Sequence, residues 1–293
     1  MPHALDLLAR HLKDLPFALA ESVRGNDARA TRDFEAFREK LANREAFTFV
    51  RFSDGEMEIL RNRRLLLTTD QRLLNGAVTA ATYAQYDVKE FDPERDQLLR
   101  QALIGSAEFK APGYWKGLPT KHNGRLSDRD WMIYLNGGGE EGLTFADLFV
   151  NSMYPRFRAE VLPLLQQWGD VAVIGNFRMD VKLVQQNWDL IPIPDNAFTA
   201  AQQLLRRVVR SACELPEGAL VLSAASSLTN VFGHELFLIR PDITFLDVGT
   251  ALHPLAGMGP SDRWYHLETT PWRKKSSVRK AWYLTSRGRH LRW

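Results

Sequence analysis

The second half of the chain alternates between short apolar runs and segments whose apolar residues recur at helical spacing. The apolar runs are rich in Val, Ile and Leu and predict buried strands at 170–175, 190–194, 219–223 and 243–247. The segments that follow predict helices at 179–186, 198–211 and 228–239. Repeated strand–helix units with hydrophobic strands are typical of a parallel sheet with helices on both faces. The predicted fold class is therefore α/β, with a Rossmann-like, mostly parallel sheet flanked by helices.

The first half adds a fifth strand and further helices to this pattern. Phe47–Phe52 is an apolar run that leads into a polar turn and then a helical pattern, with Ser53 as the candidate N-cap. The other predicted elements are helices at 1–20, 30–43, 71–84 and 94–107, an extended piece at 65–69, and loops over 111–142 around a short strand at 131–135. We expect an N-terminal helical segment at 1–45, an α/β catalytic domain at 46–255 and a basic, aromatic C-terminal extension at 256–293.

Two carboxylates occupy the turn after the Phe47–Phe52 strand. Asp54 and Glu56 lie two residues apart at the carboxyl end of a strand, the edge where open α/β sheets bind ligands. Such a pair can hold Mn²⁺ or Mg²⁺, which takes oxygen ligands and keeps positions for substrate phosphates. Arg51 is available as a further phosphate partner. Alternatively, the two acids only stabilise the N-terminus of a helix, where the helix dipole favours negative charge. Their spacing leaves both interpretations open.

The predicted strands of the second half also end in small or polar residues. If the strands are parallel, these ends meet the acidic turn at one edge of the sheet. Helix N-termini there favour phosphate, and Asp or Asn can contact a ribose or a base. The chain has no Gly-Lys-Ser/Thr phosphate loop, and its one Gly-x-Gly-x-x-Gly match, at 137–142, lies in the predicted loops and opens no predicted helix, which disfavours nucleoside triphosphatases and dehydrogenases. The candidate ligand-binding residues are Asn176, Asp195, Asn196, Ser226, Asp247 and Gly249.

The acidic turn also carries a resemblance to a known family. Arg51-Phe-Ser-Asp-Gly-Glu56 resembles the Arg-Phe-Gly-Asp-Gly-Glu motif of the GT-D glycosyltransferases, which have an Asp-x-Glu in a Rossmann-like fold. Looser similarities follow in the family's order at 151–154, 193–197, 222–236 and 245–249, so that the resemblance covers roughly 46–255. Two departures are Ser53 in place of a glycine, and Thr250-Ala-Leu-His253 where the family continues with His-Leu-Asp.

The resemblance implies a metal-dependent glycosyltransferase that moves a sugar from a nucleotide-diphosphate sugar, expected to be a UDP-sugar, to a hydroxyl of a glycan, a glycolipid or another polymer. Asp54 and Glu56 would hold the metal, with Arg51 and Arg178 on the phosphates. Asn196 and Asp247 would contact nucleoside or sugar hydroxyls. An inverting transfer needs a base for the acceptor hydroxyl. His253 is the catalytic candidate, and Glu58 and Asp180 are alternatives.

Composition bears on the compartment and the partners. The formal net charge is +3, and the single cysteine, Cys213, fits a reducing cytosol. With no visible signal peptide or membrane-spanning apolar run, we expect a cytoplasmic protein. Between Arg273 and Trp293 stand eight Lys or Arg and no acid, interleaved with aromatic residues. Such a tail suits the anionic inner face of a membrane or a nucleic acid, or it is a solvated extension.

Two other functions stay open on the residues alone. A metal-dependent phosphoesterase or nucleotide hydrolase could use the same two acids, but the histidines show no metal-ligand spacing such as His-x-His. A nucleic-acid-binding or membrane-surface protein led by the tail would bind with a steep salt dependence and without affinity for nucleotide sugars. The apolar N-terminal helices also favour a homodimer.

Overall fold

The computed structural model describes residues 26–74, 76–80, 84–120, 124–258 and 264–267. The helix predicted within 1–20 and the basic tail at 273–293 lie outside these residues. The described strands, in chain order, are β1 Thr48–Arg51, β2 Leu65–Leu67, β3 Gln71–Leu74, β4 Ala77–Ala80, β5 Lys89–Phe91, β6 Tyr114–Leu118, β7 Leu143–Phe145, β8 Val171–Asn176, β9 Trp188–Ile193, β10 Leu220–Ser223 and β11 Thr244–Asp247.

Within the described residues, seven of these strands form the main sheet. Their order is β7-β6-β1-β11-β10-β8-β9, and every neighbouring pair is parallel. The chain runs from β1 outward to β6 and β7, then crosses to the other side and returns through β10 to β11 beside β1. The predicted α/β fold with a parallel sheet is confirmed. The strand order therefore reverses next to β1, and open α/β sheets bind ligands at such positions.

Helices cover both faces of the main sheet. They are α1 Asn26–Ala42, α2 Asp54–Leu60, α3 Gln97–Glu108, α4 Leu126–Leu135, α5 Tyr154–Arg156, α6 Leu162–Gln166, α7 Ala201–Cys213, α8 Leu228–Ile239 and α9 Trp264–Leu267, with a π-helical stretch Phe157–Val161 between α5 and α6. Successive residues of a strand point to opposite faces of the sheet and pack in two separate hydrophobic cores. Val50 packs in the core with α3, α7 and α8. Phe49 packs in the core with α1 and the 154–166 helices. None of the described helices is long and apolar enough to cross a lipid bilayer.

The helix predicted at 71–84 is wrong. That segment contributes β3 and β4 to a second, antiparallel sheet with the order β4-β3-β2-β5. Gly76, with a φ of 73°, lies in the turn between β3 and β4, a backbone conformation that glycine adopts without steric cost. A short apolar run fits helical and strand periodicity equally well. In this segment the turn at Gly76 favours two antiparallel strands over a helix. This small sheet matters because β5 reaches the candidate site.

Two further element predictions are corrected. Residues 131–135 belong to α4, whose buried residues Asp128, Arg129 and Met132 follow helical spacing. Asp128 sits in the first turn of α4 and accepts the Arg125 backbone N–H at 2.9 Å, so the helix begins well before the predicted strand. In place of the helix predicted at 179–186 the structure has a short 3₁₀ turn, Val181–Leu183, and its N-cap residue Asp180 accepts the Lys182 backbone N–H.

Lys116 gives a testable pH dependence of stability. It is buried in β6, and its Nζ donates to the Ala107 and Phe109 carbonyls at 2.6 and 2.8 Å, at the C-terminal end of α3. Burial lowers the pKa of Lys116 to about 8, whereas a lysine in the unfolded chain has a pKa of about 10.4. Between these two pH values Lys116 is protonated in the unfolded chain and neutral in the folded protein. The free energy of unfolding that Lys116 contributes therefore rises with pH in this range.

We expect the free energy of unfolding of the wild type, relative to a Lys116→Met variant, to increase between pH 7.5 and 10.5 by up to about 3 kcal/mol. Urea unfolding at a series of pH values measures the difference, and subtraction of the variant removes the contribution of other titrating groups. Parallel pH profiles for the two proteins would contradict the assignment.

Candidate active site

A cavity of about 200 Å³ opens at the carboxyl edge of the main sheet. Its wall is formed by the residues that follow β1, β8, β9, β10 and β11, and by the segment that leads into β5. The cavity therefore lies where the parallel strands end and where the small antiparallel sheet meets them. Of the predicted site residues, those in its lining are Arg51, Asp54, Glu56, Asn176, Asn196, Ser226, Asp247, Gly249 and His253.

Glu56 is the most firmly held of the acids. Ser53 begins α2 as predicted, and Glu56, the third residue of the helix, reaches back to it. Its Oε2 accepts the Ser53 backbone N–H at 3.0 Å and the Ser53 hydroxyl at 2.5 Å. Its Oε1 accepts the Ser227 hydroxyl at 2.5 Å, from the turn after β10. Glu56 as a whole residue is only 5% exposed, so its carboxylate joins two strand ends inside the protein.

The surroundings of Glu56 keep it ionised. Burial by itself raises the pKa of a carboxyl group, but the charge of Lys89 and the hydrogen bonds from Ser227 and Ser53 outweigh it. The pKa of Glu56 therefore lies below its usual value. A negative charge stands in the cavity wall at neutral pH, where a cation or a phosphate-bound metal would meet it.

Asp54 differs from Glu56 in being partly exposed. Its Oδ1 accepts the Gly55 backbone N–H at 3.0 Å, and its Oδ2 lies 3.3 Å from the Arg72 guanidinium. Its side chain is 44% exposed, so it is the more accessible of the two acids.

The donor set suits a hard divalent ion that takes much of its coordination from substrate. A carboxylate has about four acceptor sites, so Asp54 retains about two of them and Glu56 about one. Within the described residues, no group of three or more His, Cys, Asp or Glu is arranged to hold a metal. Mg²⁺ is commonly bound through one or two carboxylates together with water and substrate phosphates. Asp54 and Glu56 fit an ion of that kind, with Asp54 as the more accessible ligand.

Asp247, predicted as a ligand contact, holds Arg51 in place. Its Oδ1 lies 2.9 Å from Arg51 Nη2 and accepts the Gly249 backbone N–H at 2.9 Å. Its Oδ2 accepts the Arg51 backbone N–H at 3.2 Å. Burial raises the pKa of Asp247 above its usual value, even though the Arg51 charge opposes this shift. Asp247 therefore orients the Arg51 guanidinium at the cavity wall.

Arg178 and Asp195 lie beside the cavity and pair with each other. The Arg178 guanidinium donates to both Asp195 carboxylate oxygens and lies over the Phe177 ring, 4.3 Å from its centroid. Asn176 joins them by donating to Asp195 Oδ1 at 2.8 Å. Of these three predicted residues, Asn176 alone is in the cavity lining. The Arg178 charge, which the resemblance assigns to phosphate, is matched by a carboxylate.

The three candidates for the base are placed differently. His253 lines the cavity, and its ring packs edge-on against Tyr86 with 5.2 Å between the centroids. Glu58 is buried in α2, and Asp180 caps the Val181–Leu183 turn, so neither is in the cavity lining. His253 is therefore the one of the three that the structure places at the cavity.

Several cavity residues escaped the sequence analysis. Lys89 comes from β5, a strand between the predicted helices at 71–84 and 94–107 that the sequence does not predict. Tyr265 lies 2.5 Å, hydroxyl to hydroxyl, from Thr250. No spacing or motif marks Lys89 or Tyr265, because they reach the site only through the tertiary arrangement. Apart from Ser53, the residues of the lining with polar side chains that are not among the predicted site residues are Tyr86, Asp87, Lys89, Asn151, Thr250 and Tyr265.

No protein-family model matches the sequence, and no curated protein matches it. Among solved structures, the chain is similar to a glycosyltransferase from Streptococcus sanguinis that carries a domain of unknown function 1792. They share 16% identity at a TM-score of 0.45, with 74% of this chain and 80% of that chain covered. A second structure of that domain, described as a distinct glycosyltransferase fold, shares 15% identity at a TM-score of 0.45 and covers 73% and 76%. A selenomethionine-substituted structure of the domain shares 15% identity at 0.46 and covers 87% and 88%. This likeness is distant, so the functional proposal depends on the cavity.

Proposed function

We propose that the protein is a metal-dependent glycosyltransferase that transfers a sugar from a nucleotide-diphosphate sugar, a UDP-sugar, to a hydroxyl acceptor. The observation that carries the proposal is the turn between β1 and α2. It brings the ionised Glu56, the accessible Asp54 and the oriented Arg51 guanidinium to one cavity at the carboxyl edge of a parallel sheet. Metal-binding acids next to a fixed cation are the groups that a diphosphate requires.

The roles follow from the contacts of each group. Asp54 and Glu56 would hold Mn²⁺ or Mg²⁺, which when bound would neutralise charge on the leaving diphosphate. Arg51 is held by Asp247 and by the Ala146 carbonyl, 3.3 Å from Nη1, so its guanidinium is oriented before the substrate arrives. His253 would accept the proton of the attacking acceptor hydroxyl.

The size of the cavity bears on how a donor would bind. About 200 Å³ is smaller than the roughly 300–1,000 Å³ of common ligand pockets. A UDP-sugar would therefore place its diphosphate and sugar inside and extend its nucleoside towards the mouth. The acceptor would be a glycan or a lipid-linked molecule met by a cytoplasmic enzyme, with the basic tail near an anionic membrane.

Thermal unfolding with a panel of nucleotides tests the proposal. We expect UDP to raise the melting temperature, and Mn²⁺ to raise it further only when UDP is present, because the two acids leave most metal positions to the substrate. A ligand at a hundredfold excess over its dissociation constant adds about 2.7 kcal/mol of stability. The Mn²⁺-dependent part should disappear in Asp54→Asn.

The matched control is Lys182→Ala, which removes a surface ion pair with Asp189 and should leave every shift intact. The absence of a shift with any nucleoside diphosphate, with or without Mn²⁺, would overturn the proposal.

A further inference from the structure

Lys89 crosses the cavity from one sheet to the other. It is the first residue of β5 in the small antiparallel sheet, and its Nζ donates to Ser226 Oγ at 2.6 Å. Ser226 lies in the turn between β10 of the main sheet and α8, and both residues line the cavity. The Lys89 charge also acts on the buried Glu56 carboxylate. An ammonium group is therefore placed beside the acids of the candidate site.

The backbone around Lys89 is fastened on both sides by one residue. The Asn196 backbone N–H donates to the Val88 carbonyl at 3.2 Å, and Asn196 Oδ1 accepts the Glu90 backbone N–H at 2.9 Å. Asn196 has a φ of 44° and follows β9, so it ties the start of β5 to the edge of the main sheet. Asn196, which is predicted to contact the nucleoside or sugar and lines the cavity, also fixes the segment that carries Lys89.

Lys89 and Arg51 differ in the charge of their partners. The Arg51 guanidinium is paired with the Asp247 carboxylate, so part of its charge is already compensated. The Lys89 ammonium donates to the neutral Ser226 hydroxyl. An ammonium has three donors, so two remain beyond the bond to Ser226. A phosphate oxygen is a stronger acceptor than a hydroxyl, because charge-assisted hydrogen bonds are about twice as strong as neutral ones.

We propose that Lys89 binds the terminal phosphate of the nucleoside diphosphate and makes the site selective for diphosphate over monophosphate donors. This inference rests on the proposed function. In the transfer, the bond between the anomeric carbon and the β-phosphate oxygen breaks, and its electron pair stays on that oxygen. The acceptor oxygen bonds to the anomeric carbon and gives up its proton to the base. Lys89 compensates the negative charge that appears on the β-phosphate.

Titration calorimetry with UDP, UMP and uridine tests the assignment on the full chain, with and without Mn²⁺. We expect Lys89→Ala to weaken UDP binding by about 10- to 100-fold, the range for a hydrogen bond to a charged group. Uridine affinity should change by less than about twofold. The loss of UMP affinity should be intermediate between the losses for UDP and uridine. Lys89→Arg should restore part of the UDP affinity. Lys182→Ala is the matched control and should bind all three ligands as the wild type does.

A second variant keeps the test decisive if Lys89→Ala folds poorly. Lys89→Gln keeps a hydrogen-bond donor on the side chain but removes the charge, and we expect it to flatten the salt dependence of UDP binding. Asn196→Ala should weaken UDP binding in the same direction by loosening the start of β5.

The outcomes separate the two proposals. Wild type that binds UDP, together with a Lys89→Ala or Lys89→Gln variant that binds it equally tightly, would overturn the role of Lys89 and leave the transferase proposal standing. Wild type that binds no nucleoside diphosphate would overturn both. Equal losses for UDP and uridine would assign Lys89 to the shape of the cavity and overturn its role in phosphate binding.

Discussion

A Glu56→Ala variant is expected to lose sugar transfer by at least about 100-fold, a loss comparable to removing one preorganised charge-stabilising group from an active site. It should also lower the free energy of unfolding by about 3–5 kcal/mol, the cost of breaking a buried charge network. The reason is that Glu56 accepts from Ser53 and Ser227 while it balances the charges of Lys89 and Arg51. Its removal leaves the Ser53 backbone N–H and two hydroxyls without their acceptor, and it leaves the charges of Lys89 and Arg51 less compensated. Urea unfolding and a transfer assay on the same preparation measure both losses.

Asp54→Ala separates the two effects. Asp54 is 44% exposed and pairs with Arg72 at the surface, so its loss should cost less than about 1 kcal/mol of stability while transfer falls as far as in Glu56→Ala. The surface control is Glu45→Ala, which removes an exposed pair with Lys40 and should leave both properties unchanged. If a folded Asp54→Ala or Glu56→Ala protein transfers sugar at the wild-type rate, the substituted acid is not part of the active site.

The sheet and the acidic turn could be predicted from local signals. A buried parallel strand is a continuous apolar run, so β8, β10 and β11 stood out in the sequence, and α8 was predicted with its observed ends, Leu228–Ile239. Ser53 and Glu56 form an N-terminal signal that depends only on residues three positions apart. Such signals survive in one sequence because their partners are neighbours in the chain.

The partners of the polar strand ends could not be predicted in the same way. A polar residue after a strand reaches the sheet edge, but the sequence does not show which group its side chain binds. Asp247 holds Arg51, Asn196 holds the start of β5, and Asn176 donates to Asp195. These side chains hydrogen-bond the protein because buried polar groups need partners even before a ligand arrives. The sequence placed these side chains at the edge of the sheet but did not show their contacts within the protein.

The place of Lys89 in the site also could not be predicted from the sequence. Lys89 stands in a short edge strand of the small sheet, two strands of which, β3 and β4, replace the predicted helix at 71–84, and it meets Ser226 across 137 positions. Antiparallel strands of three or four residues carry too few positions to separate helical from extended periodicity. A site built between two sheets therefore becomes visible only once the sheets are placed.

A Gly249→Ala variant is expected to disturb the Arg51 guanidinium directly. Gly249 has a φ of 49°, and a Cβ at this position would overlap Arg51 Nη2. The backbone strain alone should lower the free energy of unfolding by about 1–3 kcal/mol. The overlap should also push the guanidinium away from Asp247 Oδ1, so we expect UDP affinity to fall by about tenfold or more, as for the loss of one charge-assisted contact. Calorimetry and urea unfolding measure the two effects.

Gly257→Ala supplies the matched control, because it carries the strain without the overlap. Gly257 has a φ of 72°, and a Cβ there would lie 3.2 Å from Leu183 Cδ1, with Arg51 not among its nearest atoms. Both variants should lose stability, and only Gly249→Ala should lose UDP affinity. If the two variants bind UDP equally well, Arg51 is not a phosphate contact, and Gly249 serves only the turn after β11. A selective loss in Gly249→Ala would mean that this turn is shaped to make room for the arginine that the diphosphate needs.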